Sequence, residues 1–277
     1  MGDKSIVDQA KDAASTAGQK VAQGAKSVTG ATAGKKQFLE FLPGKVCVVT
    51  GGGRGVGQAI AERYAALGFT LILTARSKDQ LEETAASCKE KGAPAVDVHG
   101  VDLSESSQVR KFADDVLGKY KNVDVLVNNA GMGPSSGGGP VKGDSQQWEM
   151  CVNLNLTAPM LLTQAFAAGM EKKKAGLIID IGSIAGEMGF APMAVYAATK
   201  WGLRGWSLSC YEALRTSNVK VVLINPGPIA TDMTKGVMNH DLTLEAEDIA
   251  EAAMLPLITT ALCVPKEITL DTTQIPG

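Results

Sequence analysis

The sequence of 277 residues is poor in the side chains and segments that several classes of protein require. It has two histidines, His99 and His240, and five cysteines without any Cys-x-x-Cys pair, so we expect a reducing compartment and no metal site. It has no run of eighteen apolar residues and no apolar core near residue 1, which predicts neither a membrane span nor secretion. Its net charge of -2 predicts no general attraction to nucleic acid or to anionic membranes.

Residues 1–43 differ in composition from the rest of the chain. They are rich in Ala, Gly, Ser, Thr and Lys and contain no Arg. Apolar positions recur at steps of three and four, but most are alanines and several glycines interrupt them, so any helix would be weak. We predict a flexible or marginally helical extension over 1–43, followed by one domain over 44–277. An organelle-targeting peptide is the alternative, and the predicted location is cytoplasmic, or a plastid or mitochondrion in that case; three early acids and the lack of Arg argue against a mitochondrial presequence.

From residue 44 onward, short apolar runs alternate with helical patterns. Continuous apolar strands joined by helices are typical of a parallel sheet covered on both faces. The sequence therefore predicts an α/β fold, a Rossmann-like doubly wound sheet of about seven parallel strands that binds a dinucleotide. The predicted strands are 45–50, 70–75, 95–102, 123–131, 176–183, 219–227 and 267–270.

A glycine-rich turn, "TGGGRGVG" at 50–57, follows the first predicted strand and precedes a helix. Residues without a side chain let a pyrophosphate approach backbone N–H groups at a helix N-terminus, where the helix dipole favours an anion. The pattern is T-G-x-x-x-G-x-G rather than the general G-x-G-x-x-G. A merely flexible loop is the alternative, which the position between strand and helix disfavours. We expect cofactor contacts from Gly51, Gly53, Arg54, Gly55, Val56 and Gly57.

The end of the second strand indicates which dinucleotide binds. An acid there would hydrogen-bond the ribose hydroxyls of NAD, but the sequence reads Thr74, Ala75, Arg76, Ser77. Arg76 and Arg54 together offer two guanidinium groups to a 2′-phosphate. This predicts NADP(H), with a loop-capping role for Arg76 as the alternative.

Seven motifs in order give the chain a resemblance to the short-chain dehydrogenases/reductases, in their single-domain branch, over roughly residues 44–277. The gap of thirteen residues between Ser183 and Tyr196 is also usual in that family. The motifs are Thr50-Gly51-x-x-x-Gly55-x-Gly57, Asp102, Asn128-Asn129-Ala130-Gly131, Asn155, Ser183, Tyr196-x-x-x-Lys200 and Asn225-Pro226-Gly227.

The resemblance implies a catalytic set of Asn155, Ser183, Tyr196 and Lys200. Residues four apart on a helix share a face, so Tyr196 and Lys200 can address one ligand. The ammonium, with the positive ring of an oxidised nicotinamide, would lower the pKa of the phenol and make it a proton donor and acceptor. Ser183 would donate a hydrogen bond to the reacting oxygen, and Asn155 would hold a relay water. The alternatives are an ordinary cap for Ser183 and plain backbone satisfaction for Asn155.

The resemblance also assigns further cofactor contacts. Besides Tyr196 and Lys200, which would bind the nicotinamide ribose, Asp102 would hydrogen-bond adenine, although an acid after a strand is often only a turn former. Asn128 would tie neighbouring strands together. The remaining residues expected near the cofactor are Ala130, Gly131, Pro226, Gly227 and Thr231.

The substrate pocket is predicted from three segments, 132–144, 184–195 and 228–248. Their apolar side chains suggest a pocket without a fixed charge for a small-molecule ketone, aldehyde or β-ketoacyl thioester; they are Met188, Phe190, Met193, Val195, Met233 and Val237. The leading function is an NADPH-dependent carbonyl reductase. The alternatives are an alcohol dehydrogenase working oxidatively and a non-catalytic NADPH sensor or scaffold. The family also implies a homodimer or homotetramer, formed through the helices after the fourth and fifth strands.

Overall fold

A computed structural model describes residues 36–42, 44–133, 139–189, 191–231 and 240–273 of the chain. Gln37–Gly277 forms one compact unit. Its centre is a seven-stranded sheet with the order β3-β2-β1-β4-β5-β6-β7, in which every pair of neighbours is parallel. The predicted Rossmann-like doubly wound fold is confirmed.

The strands lie close to their predicted positions and alternate with helices. The strands are β1 Val46–Thr50, β2 Thr70–Ala75, β3 Val96–Gly100, β4 Val125–Asn128, β5 Gly176–Ile181, β6 Val219–Pro226 and β7 Glu267–Leu270. The helices are α1 Gly55–Ala66, α2 Lys78–Glu90, α3 Ser106–Tyr120, α4 Ser145–Val152, α5 Ala158–Lys173, α6 Ala194–Leu214 and α7 Ala246–Ile258, with one π-helical turn, Asn153–Thr157, between α4 and α5.

Two apolar cores lie on opposite faces of the sheet. The first contains α1, α2 and α7, with Ile60, Leu81 and Ile249 among its fully buried residues. The second contains α3 and α5, with Val109 and Leu162 in contact with the strands, and the end of α6 packs against it. Because both faces are covered, β4, β5 and β6 are buried along their whole length. Polar side chains at the carboxyl ends of these strands are thus held on a rigid edge.

A short segment before the first strand packs on the first core. Phe38–Phe41 forms a 3-10 turn, Phe38 is fully buried, and its backbone N–H donates to the carbonyl of Thr259 at 2.8 Å. The predicted boundary at residue 43 and the role of the extension stay predictions, since residues 1–35 lie outside the described residues. The described residues show that the segment around Phe38 forms part of the first core.

In the described ranges, no helix combines the length and the apolar character needed to cross a bilayer. The same ranges contain no group of three or more His, Cys, Asp or Glu side chains placed to hold a metal ion.

Candidate active site

The turn between β1 and α1 has room for backbone alone at two positions. Gly51 has φ of +65°, and a Cβ there would lie 2.8 Å from Nδ2 of Asn129. A Cβ on Gly57 would overlap the carbonyl oxygen of Gly51. Both glycines are therefore required for the turn to close against the end of β4, which leaves the N-terminus of α1 at the carboxyl edge of the sheet. That geometry suits a pyrophosphate.

Thr50 and Asn129 join this turn to the end of β4. Oγ1 of Thr50 accepts from the N–H groups of Asn129 and Ala130 at 2.9 and 3.0 Å and donates to the carbonyl of Val127 at 3.2 Å. Nδ2 of Asn129 donates to the carbonyl of Thr50 at 2.9 Å. Both residues belong to the sequence motifs, but no role was predicted for either from the sequence. Their function is to fix the two cofactor-facing loops relative to each other.

The residues predicted to bind the adenosine end of the cofactor lie near the carboxyl ends of neighbouring strands. Arg54 precedes α1, Arg76 follows β2, and both are exposed. Asp102 accepts from the hydroxyl and the N–H of Ser104 at 2.7 and 3.0 Å. Those bonds, with the charge of Arg76, lower its pKa. Asp102 is thus a turn former, as the alternative had it, and adenine binding stays a prediction.

Asn128 ties β4 to β5 at the centre of the sheet. Its Nδ2 donates to Oδ1 of Asp180 at 2.8 Å, and both residues are buried. Burial raises the pKa of Asp180 to about 6 against hydrogen bonds from Asn128 and Ser207, which lower it. Asp180 immediately precedes the residue whose carbonyl binds Lys200, and its charge raises the pKa of that lysine.

Tyr196 and Lys200 share one face of α6. The ammonium of Lys200 lies 5.7 Å from the centre of the Tyr196 ring and donates to the carbonyl of Ile181 at 2.8 Å. Lys200 is 6% exposed. Its burial lowers its pKa to about 8, against Cys151 and Asp180, which raise it. The spacing in the sequence therefore brings the two groups together as predicted.

The pKa of Tyr196 is raised in the protein without a bound cofactor. Burial of the phenol raises it, and a hydrogen bond from Ser183 lowers it by a smaller amount. The pKa rises because desolvation of a phenoxide outweighs the opposing bond. The predicted lowering, by Lys200 together with the positive ring of an oxidised nicotinamide, stays a prediction. Ser183 also accepts from the N–H of Ala185 at 3.1 Å, so it caps the turn after β5 while its hydroxyl lies against Tyr196.

Asn155 lies in the π-helical turn and connects the loop after β4 to α6. Its Oδ1 accepts from the N–H of Met132 at 2.9 Å, and its Nδ2 donates to the carbonyl of Met132 at 3.1 Å and to Oγ1 of Thr199 at 3.2 Å. The hydroxyl of Thr199 in turn donates to the carbonyl of Tyr196 at 2.7 Å. The side chain of Asn155 makes hydrogen bonds to other protein groups, as the alternative predicted. The role in a water relay stays a prediction.

The other predicted contacts lie along the same edge. The site that a Cβ on Gly131 would occupy is 3.3 Å from Oδ1 of Asn155. Gly227, which follows Pro226, donates to the carbonyl of Leu270 at 2.7 Å. The methyl of Thr231 is 3.6 Å from the place of a Cβ on Gly55, so the loop after β6 reaches the glycine turn.

Part of the predicted substrate pocket lies outside the described residues, namely Phe190 and the stretches 134–138 and 232–239, the second of which includes Met233 and Val237. Of the remainder, Met188 is exposed, whereas Met193 and Val195 are half-buried. The described residues thus give one apolar side chain facing solvent close to Ser183.

Comparisons with known proteins agree with this geometry. A family model described as short chain dehydrogenase matches residues 45–241. A 3-oxoacyl-(acyl-carrier-protein) reductase of Aquifex aeolicus is 37% identical over 196 residues, which cover 70% of this chain and 77% of that protein. The corresponding reductase of Vibrio harveyi is 36% identical over 200 residues, 72% of this chain and 79% of its own.

Two solved structures share the fold closely. A metagenomic short-chain oxidoreductase in complex with NADP is 36% identical with a TM-score of 0.74, covering 84% of this chain and 100% of that one. An alcohol dehydrogenase of Thermococcus sibiricus, complexed with 5-hydroxy-NADP, is 28% identical with a TM-score of 0.76, covering 84% and 99%. With its seven-stranded sheet, its glycine turn and the tyrosine and lysine on one helix face, the chain belongs to the short-chain dehydrogenase family.

Proposed function

We propose that this oxidoreductase uses NADPH to reduce a ketone, an aldehyde or a 3-oxoacyl group to an alcohol. The observation that carries the proposal is the meeting of Ser183, Tyr196 and Lys200 at the carboxyl edge of the sheet. In a doubly wound sheet a dinucleotide binds at that edge. The arrangement supplies a proton donor, a hydrogen-bond donor and a cation to one reacting oxygen.

NADP(H) is the cofactor, and the residues present fit it. The turn containing Gly51 and Gly57 leaves the N-terminus of α1 at the carboxyl edge of the sheet, where backbone N–H groups can bind a pyrophosphate. Arg54 and Arg76 flank the ends of β1 and β2, where a 2′-phosphate would be bound by paired guanidinium groups. Two related structures are described as NADP complexes. When bound, NADPH supplies the hydride that reaches the carbonyl carbon.

Tyr196 donates the proton to the oxygen that becomes the alcohol. Its pKa is raised by burial, so the phenol keeps its proton at neutral pH and holds it for transfer to the oxygen on which negative charge develops. Reduction starts from this protonated form, whereas oxidation of an alcohol would start from the phenoxide as a base.

Ser183 and Lys200 assist the same step. The hydroxyl of Ser183 lies against the phenol and donates to the developing oxyanion, a contribution of about 3 kcal/mol for a preorganised donor. The ammonium of Lys200 stabilises the phenoxide left on Tyr196. Asn155 holds the loop after β4 against α6, so it positions this face of the site, and we retain the water relay as its second role.

A 3-oxoacyl thioester is the favoured substrate class within the carbonyl compounds. The support comes from relatives that are 3-oxoacyl-(acyl-carrier-protein) reductases and from the apolar side chains of Met188 and Met193 in the segment 184–195. An N-acetylcysteamine thioester of acetoacetate is a small probe for this class.

The test is oxidation of NADPH, followed by absorbance, across a panel of ketones, aldehydes and 3-oxoacyl thioesters. We expect turnover with at least one compound and a preference for the thioesters. Binding of NADPH without oxidation across the whole panel would contradict the proposal and favour the sensor or scaffold alternative.

We also infer that the protein is a homodimer or homotetramer formed through α4, α5 and α6. Val152 on α4 and Trp201 on α6 are exposed apolar side chains on those helices. Light scattering after size-exclusion chromatography should give at least twice the chain mass of 28.8 kDa. A monomer at micromolar concentration would reject this inference.

A further inference from the structure

Glu267, the first residue of β7, belongs to none of the motifs that carry the family resemblance. Its side chain accepts two hydrogen bonds from Arg204, from Nε to Oε1 at 2.7 Å and from Nη2 to Oε2 at 3.2 Å. The pair is partly buried, with 32% of Arg204 and 24% of Glu267 exposed. Arg204 lies on α6 one turn beyond Lys200, so this two-point ion pair fixes the helix that carries Tyr196 and Lys200 to β7.

Asn225, on β6, extends the contact to the segment after Ser183. Its Nδ2 donates to Oε1 of Glu267 at 2.9 Å and to Oε1 of Glu187 at 3.0 Å, and Asn225 is 1% exposed. Glu187 follows Ser183 by four residues and also accepts from Oγ1 of Thr269 at 2.9 Å. One buried amide thus joins β7 to the loop that begins at Ser183.

The same amide also contacts the chain on the other side of Ser183. A Cβ on Gly182 would overlap Oδ1 of Asn225, so the carbonyl end of the amide lies directly against the backbone at Gly182. Asn225 therefore contacts Gly182 and binds Glu187, which flank Ser183. A shift of the Asn225 side chain would change the contacts on both sides of Ser183.

The charges of this cluster make Glu267 and Arg204 depend on each other. Glu187 and Glu267 both accept from a single NH₂ group, which brings two carboxylates close together, and like charges at that distance repel. Arg204 is the cation that offsets the repulsion, and the pKa of Arg204 is raised by its bonds to Glu267 and by the charge of Glu187. Loss of the Glu267 carboxylate would release the arginine and weaken the link to Asn225.

We propose that Glu267 is a positioning residue of the active site, which sets the Ser183 hydroxyl relative to the Tyr196 phenol by holding Arg204 and Asn225 together. The inference rests on the proposed function, because Ser183 and Tyr196 have their roles in that reaction. It goes beyond that function by assigning a positioning role to a residue of β7, a strand that is remote in sequence from every catalytic motif.

Glu267→Gln is the primary variant, since it keeps the size of the side chain and removes its charge. We expect kcat to fall about tenfold or more, as for a misplaced reacting group, with KM for NADPH changed less than about twofold because the glycine turn is not involved. Glu251→Gln is the matched control, because Glu251 pairs with Arg63 between α7 and α1. The control should leave kcat and both KM values as they are in the wild type.

The dependence on Ser183 separates positioning from general destabilisation. In a Ser183→Ala background, Glu267→Gln should lower kcat further by less than about twofold, since a displaced hydroxyl and an absent hydroxyl are equivalent. An equal fold loss in both backgrounds, or an unchanged kcat in the single variant, would overturn the proposal. Should Glu267→Gln fail to fold, Glu187→Ala removes the acceptor on the loop side of the same link and is expected to give the same non-additivity.

A readout without turnover keeps this proposal distinct from the proposed function. A crystal structure of the Glu267→Gln protein should show the segment 182–187 displaced and a longer distance between Oγ of Ser183 and the hydroxyl of Tyr196 than in the wild type. Unchanged positions would overturn the positioning role even if the wild type is active. Displacement in an enzyme that reduces nothing on the panel would sustain the positioning role while rejecting the function.

Discussion

Lys200 lies with its ammonium 5.7 Å from the centre of the Tyr196 ring and binds the carbonyl of Ile181 at 2.8 Å. The hydrogen bond to the carbonyl fixes the position of the amine near the phenol. Burial lowers the pKa of Lys200 to about 8. The charge that is to stabilise a phenoxide therefore disappears only a little above neutral pH.

The pH dependence of the reduction follows from this relationship. As pH rises through about 8, Lys200 loses its proton, the phenoxide of Tyr196 loses its partner, and kcat/KM for the carbonyl substrate should fall with an apparent pKa near that value. Steady-state rates from pH 6 to 10 at saturating NADPH give this apparent pKa. Asp180 raises the pKa of Lys200, so Asp180→Asn should move the fall to lower pH. A rate independent of pH up to 10 would contradict the assignment.

Asp180 should also affect stability in acid. Burial raises its pKa from 3.8 to about 6, so the folded protein holds a proton there that the unfolded chain has lost. The stability gained is fully present below pH 3.8 and is lost as pH rises through 6. The unfolding free energy of the Asp180→Asn protein, relative to that of the wild type, should therefore rise between pH 4.5 and 7. Urea denaturation at several pH values measures it. Parallel curves for wild type and variant would reject this, and Asp114→Asn on the surface of α3 is the control.

Arg54 and Arg76 should decide the choice between the two nicotinamide cofactors. Replacing both with Ser removes two charge-assisted contacts to a 2′-phosphate, each worth about 1.5 to 3 kcal/mol, so KM for NADPH should rise at least about tenfold while KM for NADH changes little. Arg215→Ser, at the far end of α6, is the control. Equal effects on the two cofactors would show that these residues do not read the phosphate.

The segment before β1 should stabilise the domain through Phe38. Its ring centre is 4.3 Å from the ammonium of Lys220, which also donates to the carbonyls of Pro256 and Thr260 at 2.8 and 3.0 Å. Phe38→Ala leaves a cavity over a buried cation and should lower the unfolding free energy by about 3 to 5 kcal/mol. Phe41 is 43% exposed, and Phe41→Ala should cost less than about 0.5 kcal/mol.

A truncation pair extends this test to the rest of the extension. Removal of residues 1–36 should leave the melting temperature and NADPH oxidation as in the full chain, whereas removal of residues 1–42 should lower the melting temperature. Equal melting temperatures of the two truncated proteins would show that Phe38 contributes nothing.

Local patterns were enough to predict the sheet. The predicted strands at 70–75 and 267–270 coincide with β2 and β7. β2 could be predicted because a strand covered on both faces appears as a nearly continuous apolar segment. Tyr196 and Lys200 could be paired from their spacing alone, since residues four apart on a helix lie on one face.

Contacts between distant segments could not be predicted in this way. Arg204 and Glu267 are 63 residues apart, and nothing in the local sequence of either identifies the other. The docking of Phe38 depends on Lys220 and the end of α7, and the side chain of Asn155 binds Met132 and Thr199, 23 and 44 residues away. The raised pKa of Tyr196 in the protein without a bound cofactor could not be predicted either, because burial of the phenol cannot be judged before the fold is known.

The measurement that tests the central claim most directly is the reduction rate of the Tyr196→Phe protein, with NADPH binding followed by fluorescence on the same sample. Loss of the phenolic proton donor should lower kcat about 100- to 10,000-fold, while the dissociation constant for NADPH stays within about threefold of the wild type. Turnover at the wild-type rate in a variant that still binds NADPH would contradict the role of Tyr196 as the acid.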